Sequence, residues 1–323
     1  MSLRCLLALA LVVLLNDSAP YCLAEETPPS NKPADASVAK PTGEKPAVAA
    51  EKFIRVRRDE KGDPLVMETA VVSFVSADGA QPGLQVDLVG AVHVGDKKYY
   101  DDLNKLFESY DVLLYELVAP EGTRVTKEGR KGGSAHPLGA LQNGLKSLLE
   151  LEHQLDCIDY GKANFVHADM SPEEFNKTMS ERGESWFKMF LQMMGQGMAQ
   201  QAKNGPEGSA DVAILMALFS RDRPLKMKIA MADQFENLEG QLDAFNGANG
   251  STIITERNRK AFEVLAKQIK AGKKKIGVFY GAGHLPDMQK RLQKDFALKR
   301  VGENWLAAWT LSKPAAPVAA PKP

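Results

Sequence analysis

Two histidines of this chain stand in nearly the same local setting, and their spacing invites chemistry. "LVGAVHVGD" ends an apolar, β-branched run in Gly90-Ala91-Val92-His93, and "FYGAGHLPD" ends another in Gly281-Ala282-Gly283-His284. In each copy an Asp, Asp96 or Asp287, follows the His by three residues and a polar, helix-like segment begins. Glycines Gly90 and Gly281 at a strand exit let the backbone turn sharply and approach a ligand closely. The Asp residues could cap the helices that follow, aiming their N–H groups at the same crevice. Two imidazoles at two strand ends suit a divalent metal if a third donor is present. Glu116, at the end of "DVLLYE", closes the strand after the first unit and can reach the same edge. Two His and one carboxylate with positions left for water are shared by zinc hydrolases and non-haem iron enzymes. Such a metal acidifies bound water and polarises a carbonyl.

These residues need a frame, and the pattern around them supplies one. "LVMETAVVSFVS" and "LQVDLVGAVHV" flank "ADGAQPG", which reads as a hairpin turn. Asp96 to Ser109 reads as a helix with Tyr99, Tyr100, Leu103, Leu106 and Phe107 on one face, followed by the short strand "DVLLYELV". Strand, helix, strand predicts a parallel pair with a crossover. Helical segments are expected over about 138–155, 172–203 and 210–235, the second holding Met-rich "WFKMFLQMMGQGMAQQ". Helix, turn, strand and helix return in "TERNRKAF…KRLQKDF", and "NWLAAWTL" reads as a final strand. The expected architecture is α/β: a mixed central sheet with flanking helices and a helical insertion between two strand-GxxH-helix half-motifs. Its sites belong in the crevice outside the carboxyl ends of the strands.

Not all 323 residues are assigned to that body. Residues 1–24 read as a signal peptide, with Arg4, an apolar core Leu6 to Leu15, and Cys22-Leu23-Ala24 as a cleavage site. The apolar core, about ten residues long, falls short of the roughly 20 that a membrane span needs. Residues 25–50 are rich in Pro, Ala, Lys and Glu and read as a disordered linker, and 313–323 as a disordered tail. The domain is expected over 51–312, exported to the periplasm or outside the cell, with no stable membrane span in the mature chain. Acidic and basic residues number 41 each, so the chain lacks the basic excess of a nucleic-acid binder. Cys5 and Cys22 leave with the signal, so Cys157 is a lone thiol and no internal disulfide is expected.

Several rival motifs fail. "GAGHLP" has the start of a dinucleotide fingerprint, but Pro286 stands where the third glycine belongs and too little chain follows. No His-Glu-x-x-His helix exists, so ordinary zincin chemistry is unsupported. "FVHADMSPEEF" brings His167 and Asp169 just before a capping box at Ser171 and Glu174, either a plain loop and helix start or additional site residues. His136 and His153 read as surface residues, in a loop and on a polar helix.

The paired Gly-x-x-His motifs, Glu116 after the next strand, and "TERNR" before the helix leading to the second motif resemble the TraB/TIKI family, which includes bacterial GumN-type proteins. That family is similar in architecture to erythromycin esterase-like and ChaN-like proteins. The resemblance runs from about Leu88 to Asp287, the helical middle matching only in character. It implies that His93, His284 and Glu116 form the metal or catalytic set, that the cofactor is divalent Mn, Co, Zn or Fe, and that Arg257 holds an oxyanion or a substrate carboxylate. The expected activity is hydrolysis of peptide or other acyl bonds. The alternative is a non-catalytic protein that binds a metal, haem or small ligand with the same histidines. Arg257 itself reads two ways, as a first-turn surface charge or as a group pointing into the crevice.

Overall fold

The computed structural model describes residues 52–120, 149–185, 188, 214, 216–246 and 250–313. The expected signal segment, the linker, the Met-rich stretch, His136 and most of the tail lie outside them. Nine strands form the framework: β1 (Ile54–Arg58), β2 (Pro64–Ser76), β3 (Gln85–Ala91), β4 (Val94–Gly95), β5 (Val112–Tyr115), β6 (Glu152–His153), β7 (Phe165–His167), β8 (Lys275–Gly281) and β9 (Leu298–Thr310). Seven make a mixed sheet in the order β1-β2-β3-β8-β5-β7, with β9 also paired to β2. The protein has the α/β fold its pattern predicts.

The sheet has an antiparallel half and a parallel half. β2 is 13 residues long; β9 runs antiparallel along nearly all of it, while β1 and β3 share its other side in succession. The turn between β2 and β3 carries Gly79 and Gly83 at positive φ, which suits glycine and confirms "ADGAQPG" as the hairpin turn. β3, β8, β5 and β7 then lie parallel. The expected crossover therefore exists, but β3 and β5 are not neighbours, because β8 enters between them. β8 earns that place by being apolar on both faces, with Ile276, Val278, Phe279 and Tyr280 all buried.

Helices cover the sheet. Lys97–Phe107 buries Tyr99, Tyr100, Leu103 and Phe107, as its spacing predicts. Asp96 occupies the N-cap position but does not cap: its carboxylate takes the Lys228 Nζ at 2.9 Å and the Thr310 N–H at 2.6 Å. Likewise Asp287 lies inside the first turn of Leu285–Asp295, whose N-cap is His284. The capping box is real, with Ser171 Oγ on the Glu174 N–H and Glu174 Oε2 on the Ser171 N–H at the start of Pro172–Glu181. That helix stops at Arg182 and Gly183, the latter at φ +62°, earlier in the chain than the pattern suggests. Past 214–218 a turn intervenes before Arg223–Asn246, so the middle helix starts and ends later than expected. His153 belongs to β6 opposite Val94 and is partly buried, where a surface helix was expected. Among the described residues no helix is long and apolar enough to cross a membrane.

Candidate functional site at the carboxyl edge of the parallel strands

Register alone gathers the chemistry. Ala91 pairs with Gly281, Tyr115 with Phe279, and Tyr115 with His167 across adjacent parallel strands. His93, His284, Glu116 and Asp169 therefore all follow the carboxyl ends of four neighbouring strands, where α/β sheets hold their ligands.

The backbone at His93 is fixed on four sides. Tyr99 Oη donates to the Gly90 carbonyl at 3.0 Å and Tyr100 Oη to Val92 O at 3.1 Å. The Gln154 N–H donates to His93 O at 2.8 Å, and Trp309 Nε1 to Val94 O at 2.7 Å. The aromatic face of the Lys97–Phe107 helix thus serves the strand exit as well as the core. His93 itself is partly exposed.

Glu116 is held from two directions. Its Oε2 accepts the Gly281 N–H at 2.6 Å, and its Oε1 accepts Arg257 Nη2 at 2.6 Å. Burial alone would raise this carboxyl's pKa. The combined pull of Arg257, His284, His93 and the Gly281 N–H brings it to about 2, so it is ionised at neutral pH. His93 thus lies within electrostatic reach of Glu116.

Arg257 is 2% exposed, so its guanidinium points into the crevice. Nε meets Asp169 Oδ1 at 3.0 Å and Nη2 meets Asp169 Oδ2 at 2.6 Å, with Glu116 on the same Nη2. The role expected for it, holding an oxyanion, is displaced: these donors are committed to the protein's own carboxylates. Five residues of π-helix, Thr252–Glu256, aim it. Ser251 Oγ accepts the Ile254 N–H, while Arg182 Nη2 grips Gly250 O at 2.7 Å and Glu184 takes the Thr252 N–H at 3.0 Å. Such bulges concentrate at functional sites.

His284 is buried against Tyr280, ring centroids 5.2 Å apart. Its Nδ1 lies 2.7 Å from Asn258 Oδ1 and its Nε2 lies 3.5 Å from Glu116 Oε1. Burial pulls its pKa down to about 4 against the opposing charge of Glu116, so the ring is neutral at neutral pH. Tyr280 Oη donates a short hydrogen bond to Ala168 O, tying the central strand to the loop that carries Asp169.

The glycines act by closeness. Neither Gly90 nor Gly281 has a positive φ; a Cβ on Gly281 would stand 3.3 Å from Glu116 Oε2, and one on Gly90 3.2 Å from Ala70 O. The sharp turn expected of them is not what they supply.

His167 follows a different course from Asp169. Its Nε2 donates to Leu117 O at 2.5 Å and its ring packs on Tyr115. Asp169 joins the site; His167 braces the strand end. Asn258 and Tyr280 enter the site although sequence reasoning passed over them.

Among the described residues no three His, Cys, Asp or Glu side chains converge as a ready-made metal set. A pair does fit. Donors bound to one metal at 2.0–2.2 Å in tetrahedral geometry stand about 3.4 Å apart. The 3.5 Å from His284 Nε2 to Glu116 Oε1 matches that spacing and is too long for a good hydrogen bond. No family model, curated protein or solved structure matches the chain significantly.

Proposed function

We propose that the chain is an exported, divalent-metal-dependent hydrolase of peptide or other acyl bonds, of the TraB/TIKI kind its motifs resemble. The observation that carries the reading is the buried pair of a neutral imidazole and an ionised carboxylate 3.5 Å apart. One guanidinium faces two carboxylates there, and a cation would complete the charge balance.

In this reading His284, Glu116 and His93 hold the ion, which is Mn, Co, Zn or Fe. When bound, it supplies an acidified water and a polarised carbonyl. Arg257 fixes Glu116 and Asp169 in one plane, so the acidic group needs no reorganisation. The Gly281 N–H fixes the second Glu116 oxygen. Partly exposed His93 marks the side from which a substrate enters. The secretory pattern of residues 1–24 supports export, and the even charge balance supports a peptide or acyl substrate over nucleic acid.

The test is the purified full chain, loaded in turn with Mn, Co, Zn and Fe, against a peptide and ester panel. Metal-dependent turnover, lost in His93→Ala and His284→Ala proteins of unchanged circular dichroism, is the expected result. Turnover that survives chelation overturns it. Stoichiometric uptake of metal, haem or another small ligand with no turnover identifies a binding protein instead.

A further inference from the structure

Asn258 is a third contact of His284, and its surroundings fix the way its amide faces. Nδ2 lies 3.1 Å from His284 O and 2.8 Å from Asp287 Oδ2. A carbonyl and a carboxylate oxygen can only accept, so both require the NH2 end of the amide. Oδ1 is thereby turned to His284 Nδ1 at 2.7 Å. Asp287 is anchored in turn: Arg291 Nε donates to the same Oδ2 at 2.7 Å, and Arg291 Nη2 donates to Thr255 O at 3.1 Å. The chain of contacts therefore runs from Arg291 through Asp287 and Asn258 to the imidazole, and its middle is fully buried.

We infer that Asn258, oriented by Asp287 and Arg291, is a positioning residue that keeps the His284 proton on Nδ1 and presents a bare Nε2 lone pair to the Glu116 side. An amide oxygen cannot donate, so the nitrogen facing it must carry the proton. A neutral imidazole has only one, which leaves Nε2 as acceptor or ligand. The partner of one ring nitrogen sets what the other can do, and such outer contacts raise ligand basicity and hold ring orientation. The same device explains why the second half-motif spends the Asp after its histidine on an amide rather than on a helix cap.

The inference deepens the metal-site reading and rests on it for its purpose, though not for its geometry. The experiment uses the metal-free full chain labelled with 15N-histidine, with long-range proton–nitrogen spectra at neutral pH. Wild type should show His284 protonated on Nδ1. Asn258→Ala should give mixed tautomers, while Asn258→Asp, which keeps an acceptor oxygen at that place, should retain the Nδ1 proton. Zn or Mn added to Asn258→Ala should bind about 10–100-fold more weakly than to wild type. A wild-type His284 protonated on Nε2 overturns the inference, whatever the variants do. Mixed tautomers in Asn258→Asp as well as in Asn258→Ala also overturn it. An Nδ1 proton in a protein that takes up no metal leaves this inference standing and removes the hydrolase proposal.

Discussion

Arg257 and Asp169 meet through two parallel contacts, 3.0 Å and 2.6 Å, with both side chains closed off from solvent. A planar fork against a carboxylate is a match only Arg can make. The same Nη2 reaches Glu116, so a single guanidinium joins the loop after β7, the end of β5 and the start of the Arg257–Lys270 helix.

Arg257→Ala should lower unfolding free energy by about 3–5 kcal/mol, because it strands two buried carboxylates. Arg257→Lys should lose a substantial part of that too, since a point charge cannot satisfy both partners. Urea titrations of the three proteins measure it. A loss below about 1 kcal/mol in Arg257→Ala would show that the cluster is solvated and the ion pairs idle.

Stability should climb with pH from acid to neutral in two overlapping windows. Glu116 has a folded pKa near 2 against an ordinary 4.5, so its contribution is complete above about 4.5 and is lost as pH falls toward 2. His284 has a folded pKa near 4 against 6.5. Between those values the unfolded chain binds the proton and the folded one does not, so stability falls as pH drops from 6.5 to 4. His284→Gln should flatten the upper window and spare the lower. Denaturation midpoints from pH 3 to 8, on the order of one per half unit, would reveal the loss of slope; an identical slope in the variant contradicts the assignment.

Metal should stabilise the folded chain by mass action, about 2.7 kcal/mol at a hundredfold excess over Kd. Glu116→Gln keeps the size of the side chain and removes the charge, and should abolish that gain. Thermal melts with and without Mn or Zn provide the readout. A full shift in Glu116→Gln would exclude Glu116 as a donor.

Two alanines should separate packing from site geometry. A Cβ on Gly277 would lie 2.6 Å from Leu113 Cδ1 and 2.8 Å from the Tyr110 ring, whose hydroxyl is tied to Asp87 at 2.9 Å. Gly277→Ala should therefore cost about 1–3 kcal/mol. Gly281→Ala meets only the Glu116 carboxylate, at 3.3 Å, and should weaken metal binding more than it lowers Tm. Equal effects on both properties in the two variants would refute the distinction.

Much of this site is legible in the sequence because strand ends are. An apolar run that stops in Gly-Ala-x-His announces where the edge lies, and Glu116 follows a run of the same kind. Asn258 was hidden beside Arg257 in "TERNR", yet a signal was present. The buried stripe Ala261, Phe262 and Leu265, extended back one turn, lands on 257 and 258. Polar residues on the continuation of an apolar stripe are buried for a reason. The neighbour relation of β3 and β5 was not legible, since nothing in either strand tells which of several apolar partners will lie beside it. Asp96 and Asp287 were misleading for a physical reason: each has a stronger partner than its own helix, Lys228 and Thr310 for one, Asn258 and Arg291 for the other.

The place of β8 has a consequence for how the molecule comes to exist. β3 and β5 are made early, but the slot between them is filled by a strand that emerges near the end of synthesis. Until then the first half can hold hydrophobic strands but no complete sheet, and pairings this distant along the chain form slowly. A product truncated ahead of Lys275 would carry His93, Glu116, Asp169 and Arg257 and still have no centre to arrange them around. Quality control by proteases would meet that fragment as an open, apolar edge. Any chemistry at the strand ends is thereby withheld from the growing polypeptide and granted only to the finished one.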